Sequence, residues 1–396
     1  LRTERRKDSK NRVLRAGESQ RKDGTYMYRY TDITGKRVCV YARTLEDLRV
    51  KEQMIQKELN DGIDYAAGKA TTIDLVERYV GLKQGARYST KVLYDYILGI
   101  LRNEDFGYRQ IREIKQSDVQ AWVIKLHQDG RSYGTIRGIR SVLRPAFKMA
   151  YNEDVIRRNP FDFNLSDVIP NDTKKRAALS EDTREAWMEF IRTDEVYQKY
   201  YDEFVVLLGT GLRVSEFCGL TRNDLDFENR RIRVEHQLCR QRDGTYYIGK
   251  PKTASGERYI PMTDEVCQSL KRMIANRPKV KVERIVDGYS GFLMLDKNGN
   301  PKVAQHIENE IRGAVKRYQK LHPDSTLPPI SPHVYRHTFC TELAAAGIEA
   351  KSLQYLMGHA TISTTLDTYT HINYERAAEQ MAQAISREKS PEKGLA

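Results

Sequence analysis

The first part of the chain shows the two-residue alternation of apolar and polar positions that predicts β-strands. Along residues 26–30, tyrosines alternate with Met27 and Arg29, as in a strand with one buried face. Residues 13–16 and 37–42 have similar short patterns. We therefore expect three strands in this region.

Turn residues and a helix signal complete this first module. Turns are predicted at residues 22–24 and 31–36, and Thr44 provides an N-cap for a helix that runs to about Asn60. A small sheet rich in Arg and Lys suits a protein that lays strands into a DNA groove, although a protein-interaction module is the alternative. The basic residues that we expect to contact DNA are Arg21, Lys22, Arg29 and Arg37.

From Thr72 to about Pro160 the apolar residues recur with helical periodicity, which predicts a bundle of four or five helices. The positions expected to face its core are Ile73, Val76, Tyr79, Val80, Val92, Tyr96, Ile97, Ile100, Val119, Trp122, Val123, Leu126, Ile136, Ile139, Val142, Leu143, Phe147 and Ala150. The last helix carries basic residues at spacings that keep them near one face, which indicates either a DNA-binding surface or a solvated one. They are Arg137, Arg140, Arg144 and Lys148.

The rest of the chain mixes helices with a short sheet. Pro160 and the polar residues 171–176 predict a linker, and Ser180 caps the next helix. A second helix ends at Gly209-Thr210-Gly211, and strands are predicted at residues 232–234, 246–248 and 259–261. The fold class is thus multidomain α+β: a three-stranded sheet plus helix in residues 1–65, a helical core-binding bundle in 70–165, and a mainly α catalytic domain with a small antiparallel sheet in 175–396.

Composition narrows the class of partner. The formal net charge of +13 comes from Lys and Arg spread along the chain, which favours a polyanion such as nucleic acid. The five cysteines are widely separated and form no C-x-x-C pair, so we expect neither a disulfide framework nor a zinc site. No apolar run approaches the roughly 20 residues that cross a bilayer, and no signal peptide is recognisable, so we expect a cytoplasmic protein without membrane contact.

Two arginines lie in recognisable local motifs. Arg213 follows Gly211 at the end of one helix, where the next helix begins. Arg336 follows His333 by three residues, so both side chains point from one side of a helical turn. Each motif is weak or moderate by itself.

Two further residues complete the set. His359 lies in Leu-Met-Gly-His, and Tyr369 lies ten residues later in Thr-Tyr-Thr-His, close enough to share a pocket if the chain folds back. The chain has 24 tyrosines, and Tyr355 and Tyr374 are alternatives to Tyr369 that lack this context. In this order the four motifs together are specific.

With these motifs the chain resembles the tyrosine recombinase family over its whole catalytic part. The first module is similar to the arm-binding domain of conjugative transposon integrases. The resemblance implies site-specific DNA cleavage and rejoining through a 3′-phosphotyrosine, for integration and excision of a mobile element. It assigns catalytic positions to Arg213, Glu216, Lys252, His333, Arg336, His359 and Tyr369, with Lys250 left open as an alternative to Lys252.

The chemistry of phosphodiester transfer explains why these residue types are needed. A tyrosine hydroxyl has a pKa of about 10, so Tyr369 needs a base, for which His333 is positioned. Arg213 and Arg336 can each bind non-bridging oxygens with a planar fork and stabilise the transition state without a metal ion. Lys252, on a β-hairpin in the family, suits protonation of the leaving 5′ oxygen. His359 can donate to the phosphate and Glu216 can orient an arginine or histidine, so neither cofactor nor metal is expected.

The resemblance also implies partners and leaves two rival functions. We expect double-stranded DNA with core and arm sites, a homotetramer on DNA with the amphipathic helix at residues 374–385 exchanged between protomers, an excisionase and a DNA-bending host protein. A type IB topoisomerase uses the same nucleophile but acts alone. A non-catalytic DNA-binding protein would keep the basic helices and lose the catalytic side chains.

Overall fold

The computed structural model describes residues 6–31, 35–60, 70–173, 177–251, 254–325 and 327–369. Contacts divide the chain into two compact units, Leu1–Lys174 and Lys175–Ala396. Both contain helices, and each contains antiparallel sheet, so the α+β class predicted from the sequence is confirmed.

The first unit begins with the expected antiparallel sheet, in the order β1-β2-β3, followed by one helix. Its elements are β1 (Glu18–Gln20), β2 (Tyr26–Thr31), β3 (Arg37–Ala42) and α1 (Leu45–Asn60). The predicted alternation is confirmed, because Tyr26, Tyr28 and Tyr30 are buried and the side chains of α1 cover them. The outer face of β2 carries Met27 and Arg29.

The predicted strand at residues 13–16 is wrong, and the first strand lies a few residues later. Gly17 adopts a left-handed backbone with φ of 87°, and a Cβ at this position would lie 2.7 Å from the Arg29 carbonyl oxygen. This residue interrupts any extended run, so pairing with β2 begins at Glu18. Val13 is instead tied to the helix, because Arg49 Nη2 donates to its carbonyl at 2.8 Å.

The helical bundle forms as predicted, with five helices in residues 72–152. They are α2 (Thr72–Gly81), α3 (Tyr88–Arg102), α4 (Asp105–Tyr108), α5 (Gln116–Gln128) and α6 (Tyr133–Asn152). The assignment of Tyr96 to the core is wrong: Tyr96 is 45% exposed, whereas Tyr94 is 8% exposed. Tyr94, Ile97 and Leu98 share one helical face, and a residue two positions after Tyr94 points away from it. Tyr96 instead accepts a hydrogen bond from Arg131.

The second unit packs helices around a three-stranded sheet of order β4-β5-β8 and a separate hairpin, β6-β7. Its helices are α7 (Glu181–Thr193), α8 (Tyr201–Thr210), α9 (Val214–Gly219), α10 (Asp264–Ala275), α11 (Ala304–Leu321), α12 (Pro332–Ala345), α13 (Ala350–Met357) and α14 (Ile362–Tyr369). Its strands are β4 (Leu225–Asp226), β5 (Arg231–Val234), β6 (Gln237–Arg240), β7 (Tyr246–Gly249) and β8 (Arg258–Pro261). The sequence pattern missed β4, which has only two residues, and β6.

The core of this unit holds large side chains from most of its elements, including Trp187, Phe204, Phe217 and Tyr335. Trp187 Nε1 donates to the Tyr335 hydroxyl at 2.6 Å, which joins α7 to α12 inside the core. Across the described ranges, none of the helices combines the length and apolar character that a membrane span requires.

A buried charged cluster, formed by Glu203, Lys302 and Glu310, lies in the second unit. Lys302 Nζ lies 2.7 Å from Glu203 Oε1 and 3.0 Å from Glu310 Oε1. One cation thus faces two carboxylates, and Glu310 Oε2 is buried with no hydrogen-bond partner. Burial and the neighbouring charge of Glu203 raise the pKa of Glu310 to about 7.

The first prediction concerns stability and pH. Protonated Glu310 stabilises the folded state fully below the ordinary pKa of 4.5, and this contribution is lost as the pH rises through about 7. Since glutamine cannot ionise, Glu310→Gln should be more stable than wild type by about 1–2 kcal/mol at pH 8, and the gain should vanish near pH 5. Urea titration at both pH values measures this difference.

Glu308→Gln, on the same helix but outside the cluster, is the control and should change stability little at either pH. Loss of stability in Glu310→Gln at pH 8 would mean that the ion pair with Lys302 outweighs the cost of the second carboxylate.

Candidate active site

The end of helix α8 places the first arginine of the site. Gly211 has a φ of 60°, and a Cβ there would lie 2.3 Å from the ring of Phe339. Glycine is therefore required for this turn. Arg213 follows with an extended backbone and is the N-cap residue of α9.

Arg213 is anchored to Glu216, one turn into α9. Its backbone N–H and its Nη1 both donate to the Glu216 carboxylate, at 3.0 and 2.6 Å. Its Nη2 donates to the carbonyl oxygen of Gly358 at 2.8 Å. The Arg213 side chain remains 36% exposed, so part of the guanidinium faces solvent.

The second arginine, Arg336, is buried in helix α12. Ser331 caps this helix, and Pro332 occupies its first turn, where a missing N–H costs nothing. Arg336 Nη1 donates to the Gly211 carbonyl at 2.6 Å, and Nη2 donates to the Met357 carbonyl. The two arginines predicted from the sequence therefore lie at the same two turns. One turn follows α8 and contains Gly211, and the other follows α13 at Met357 and Gly358.

A third arginine, Arg258 at the start of β8, completes the group, and the sequence analysis missed it. Its side chain is fully buried, and Nη2 donates to Glu216 at 2.9 Å. Its Nε donates to the Leu356 carbonyl at 2.7 Å. A signal was present: strand alternation puts residue 258 on the same buried face as Ile260, where an arginine needs a partner.

All three arginines meet at the C-terminal end of helix α13. Arg258, Arg336 and Arg213 donate in that order to the successive carbonyls of residues 356, 357 and 358. Carbonyls at a helix C-terminus have no partner within the helix and carry the negative end of its dipole. We call these three carbonyls the α13 carbonyl edge.

The charges in this site perturb one another. Burial and the neighbouring charge of Arg213 lower the pKa of Arg336 to about 9. Burial, followed by the charges of Arg336 and Arg213, lowers the pKa of His359 to about 4, so its ring is neutral at pH 7. Although burial alone would raise the pKa of Glu216, hydrogen bonding and charge from Arg258 bring it below its usual value.

The two histidines occupy different positions. His359 directly follows the α13 carbonyl edge, and its Nδ1 lies 3.0 Å from Thr365 Oγ1. His333 is exposed on the first turn of α12, one turn before Arg336.

Tyr369 lies at the end of α14, and its hydroxyl donates to the Ile348 carbonyl at 2.6 Å. Its ring packs beside the small cluster of Cys340, Ala344, Leu353 and Met357. The structure therefore brings the arginines, Glu216 and His359 together, and it holds the tyrosine hydroxyl on a backbone carbonyl between α12 and α13.

The predicted lysine position lies partly outside the described residues. Lys252 is among those that the structure leaves undescribed, whereas Lys250 is described and exposed. The expectation of a hairpin around this segment is corrected: β7 pairs with β6, while β8 pairs with β5. The segment connects two different sheets.

Within the described ranges, one trio of residues has metal-ligand atoms within 4.8 Å of one another: Asp224, Glu235 and His236. Arg233 already lies 3.6 Å from Asp224 and 3.5 Å from Glu235, and His236 Nε2 bonds the Gly219 carbonyl. These contacts neutralise the carboxylates, so the trio suits a structural role.

The basic residues of helix α6 line a groove of about 590 Å³ in the first unit. Arg137, Arg144 and Lys148 are exposed there. Arg140 differs, because it donates to the carbonyls of Phe161 and Phe163 and is half-buried. Arg140 therefore fixes the segment that follows α6, whereas the other three are exposed, with Arg144 ion-paired to Asp162 at 2.9 Å.

The basic residues predicted in the sheet module are all exposed. The pairing of Met27 with Tyr41 and of Thr31 with Arg37 puts Arg29 and Arg37 on the outer face of the sheet, opposite α1. Arg21 stacks over the ring of Tyr41 at 5.5 Å. The outer face is therefore basic and aromatic.

Comparison with known proteins identifies the protein family to which this fold and arginine site belong. Residues 177–376, about half of the chain, match the phage integrase family, and residues 2–59 match the DNA binding domain of Tn916 integrase. The chain belongs to the phage integrase family and is a tyrosine recombinase, an enzyme that transfers DNA strands. The alternatives of a topoisomerase and of a non-catalytic DNA-binding protein are set aside.

Particular relatives are similar over most of the chain. The transposase from transposon Tn916 of Enterococcus faecalis is 42% identical over 407 residues, which covers both chains completely. The Tn1549 transposon integrase in complex with a circular intermediate DNA is 43% identical, with a TM-score of 0.76 over 79% of this chain and 99% of that chain. A lambda integrase dimer bound to a core site shares the fold, with a TM-score of 0.54 at 17% identity over 91% of this chain and 97% of that one.

The second prediction tests the glycine that caps α13. Gly358 has a φ of 60°, and a Cβ there would lie 2.9 Å from Arg258 Nη1 and 3.1 Å from the Ser255 carbonyl. Gly358→Ala should cost about 2–4 kcal/mol of stability, because left-handed strain and a clash add. It should also slow DNA cleavage, since the carbonyl edge moves. Urea unfolding and single-turnover cleavage measure the two effects.

Gly347 is the matched control, because it has a φ of 85° and a Cβ added there would meet nothing within 4 Å. Gly347→Ala should show the conformational cost alone, about 1 kcal/mol. Equal losses in both variants would argue against a steric role for Gly358.

Proposed function

We propose that the chain cleaves and rejoins DNA at the ends of a mobile element, for its integration and excision, through a 3′-phosphotyrosine formed by Tyr369. The observation that carries this proposal is the group of arginines on the α13 carbonyl edge, in a member of the phage integrase family. Relatives support the choice of DNA, because Tn1549 integrase has been solved with circular intermediate and right-end transposon DNA.

The phosphate site in this proposal consists of Arg213, Arg336 and His359. An arginine has five N–H donors, and the backbone and Glu216 take only some of those on the two guanidiniums. The remaining donors are available to the non-bridging oxygens, where charge develops in the transition state. His359 is neutral, and when Thr365 donates to its Nδ1 the hydrogen lies on Nε2, which can donate to the same phosphate.

Proton transfer is assigned to two further residues. His333 takes the proton of the attacking Tyr369 hydroxyl, and Lys252, with Lys250 as the alternative, protonates the leaving 5′ oxygen. The Tyr369 hydroxyl must first leave the Ile348 carbonyl. The phosphotyrosine ester keeps the energy of the broken bond, so a 5′ hydroxyl can reverse the step without ATP, a cofactor or a metal ion.

DNA binding is divided among three domains in this proposal. Residues 1–65 bind arm sites, residues 70–165 bind the core site through the α6 groove, and residues 175–396 carry the chemistry. We infer a homotetramer on DNA, with the predicted helix at residues 374–385, outside the described residues, exchanged between protomers. An excisionase and a DNA-bending host protein complete the set of proposed partners, and the proposed compartment is the cytoplasm.

The third prediction concerns the nucleophile. Tyr369→Phe removes one oxygen, so folding and DNA affinity should persist while the covalent protein–DNA complex disappears. Tyr355→Phe should still form the complex. A denaturing gel with a nicked suicide substrate, run in EDTA, measures both results, because the proposed chemistry needs no metal. A covalent complex formed by Tyr369→Phe, or cleavage that requires Mg²⁺, would contradict the assignment.

The fourth prediction separates the two DNA surfaces in the intact chain. Replacing Arg137, Arg144 and Lys148 with Gln should weaken binding to core-site DNA. It should also reduce the slope of log Kd against log salt concentration by about 2–3. Arm-site binding should not change. The matched variant Arg29→Gln with Arg37→Gln should do the reverse, and fluorescence anisotropy at several salt concentrations measures both. Equal losses on both DNA types in either variant would rule out the division.

A further inference from the structure

Arg258 is the one member of the arginine group that cannot touch DNA. Its side chain has 0% exposure, whereas that of Arg213 has 36%. A contribution of Arg258 to the reaction must therefore pass through other residues.

The contacts of Arg258 run in three directions. Nη2 donates to Glu216 at 2.9 Å, Nε donates to the Leu356 carbonyl at 2.7 Å, and Nη1 donates to the Gly256 carbonyl at 3.0 Å. A planar guanidinium can satisfy such divergent acceptors, and a lysine ammonium cannot reach all of them. Arg258 thus joins α9, α13 and the end of the segment before β8.

The first two contacts converge on Arg213. Glu216 accepts from both Arg213 and Arg258, and the α13 carbonyl edge accepts from both as well. Without Arg258, the buried Glu216 carboxylate would lose one of its two arginine hydrogen-bond donors and would depend on Arg213. The carboxylate would then draw the Arg213 guanidinium inward, away from a phosphate.

We propose that Arg258 is a positioning residue for strand cleavage: it holds Glu216 and the α13 carbonyl edge so that the Arg213 guanidinium stays turned toward the scissile phosphate. This inference rests on the proposed function. It predicts that loss of the Arg258 fork slows the chemical step while DNA binding is retained. A purely structural role would instead reduce binding and cleavage together, through the folded fraction.

The test uses the full chain and compares Arg258→Lys with Arg277→Lys. Arg277 is a matched control, because it is also buried, donates to the Phe292 carbonyl at 2.7 Å and pairs with Glu283 at 2.7 Å. Single-turnover cleavage at saturating protein and DNA Kd are measured at a temperature where thermal unfolding shows each variant folded. Arg258→Lys should cleave about tenfold or more slowly, with Kd within about twofold of wild type, since small displacements of a catalytic group are costly. Arg277→Lys should leave both values within about twofold.

A double-mutant cycle asks whether the effect passes through Arg213. In an Arg213→Lys background, adding Arg258→Lys should slow cleavage by less than about twofold, because the group that it positions is already altered. A further loss of the full tenfold would overturn the proposal, as would wild-type cleavage by Arg258→Lys.

If Arg258→Lys does not fold, Glu216→Gln takes its place, because it weakens the same connection from the other side. The same separation of cleavage from binding is expected, and its absence would overturn the inference. The proposed function is tested separately: if wild type and Arg277→Lys form no covalent complex, that function fails. If both form it and Arg258→Lys equals them, only the positioning role fails.

Discussion

The carbonyl oxygens at the C-terminal end of helix α13 are the acceptors on which the site depends. Three arginines from α9, α12 and β8 converge on them, and burial together with the neighbouring charge of Arg213 opposes this convergence by lowering the pKa of Arg336. The negative end of the helix dipole and the buried Glu216 carboxylate offset these effects. Because the acceptors are backbone atoms of a capped helix, the guanidiniums are held before DNA arrives, and little reorganisation is needed at the moment of reaction.

The proposed nucleophile, Tyr369, has its hydroxyl bound to a backbone carbonyl. The hydroxyl donates to the Ile348 carbonyl, and such a bond contributes about 1 kcal/mol in net terms. In the proposed reaction the hydroxyl exchanges this acceptor for a base and a phosphate. A rigid set of cations with an exchangeable nucleophile suits a reversible enzyme, since the same residues must serve cleavage and rejoining.

Positive charge is used in two different ways in this molecule. In the catalytic unit, the arginines are paired with backbone carbonyls and a carboxylate; part of Arg213 faces outward, whereas Arg258 is fully buried. In the α6 groove and on the outer face of the N-terminal sheet, most basic side chains are exposed. Exposed cations raise the affinity for DNA because their binding releases counterions. The orientation of the protein on DNA then depends on many weak contacts. Arg140 belongs to the first kind although its sequence context resembles the second.

The sequence by itself determined the order of the modules, the α+β class, the first sheet with its helix, and the two arginines later found together. These features follow from local periodicity, turn residues and motif spacing, which act over a few residues. Tertiary structure alone decided that strand β1 starts after Gly17, that Tyr96 faces solvent, and that strands β7 and β8 belong to different sheets. It also decided the place of Arg258, because its partners Glu216 and Leu356 are 42 and 98 residues away along the chain. Hydrogen bonds to backbone carbonyls leave no pattern in the sequence, since every residue carries the same acceptor, and only the folded chain selects which three meet the arginines.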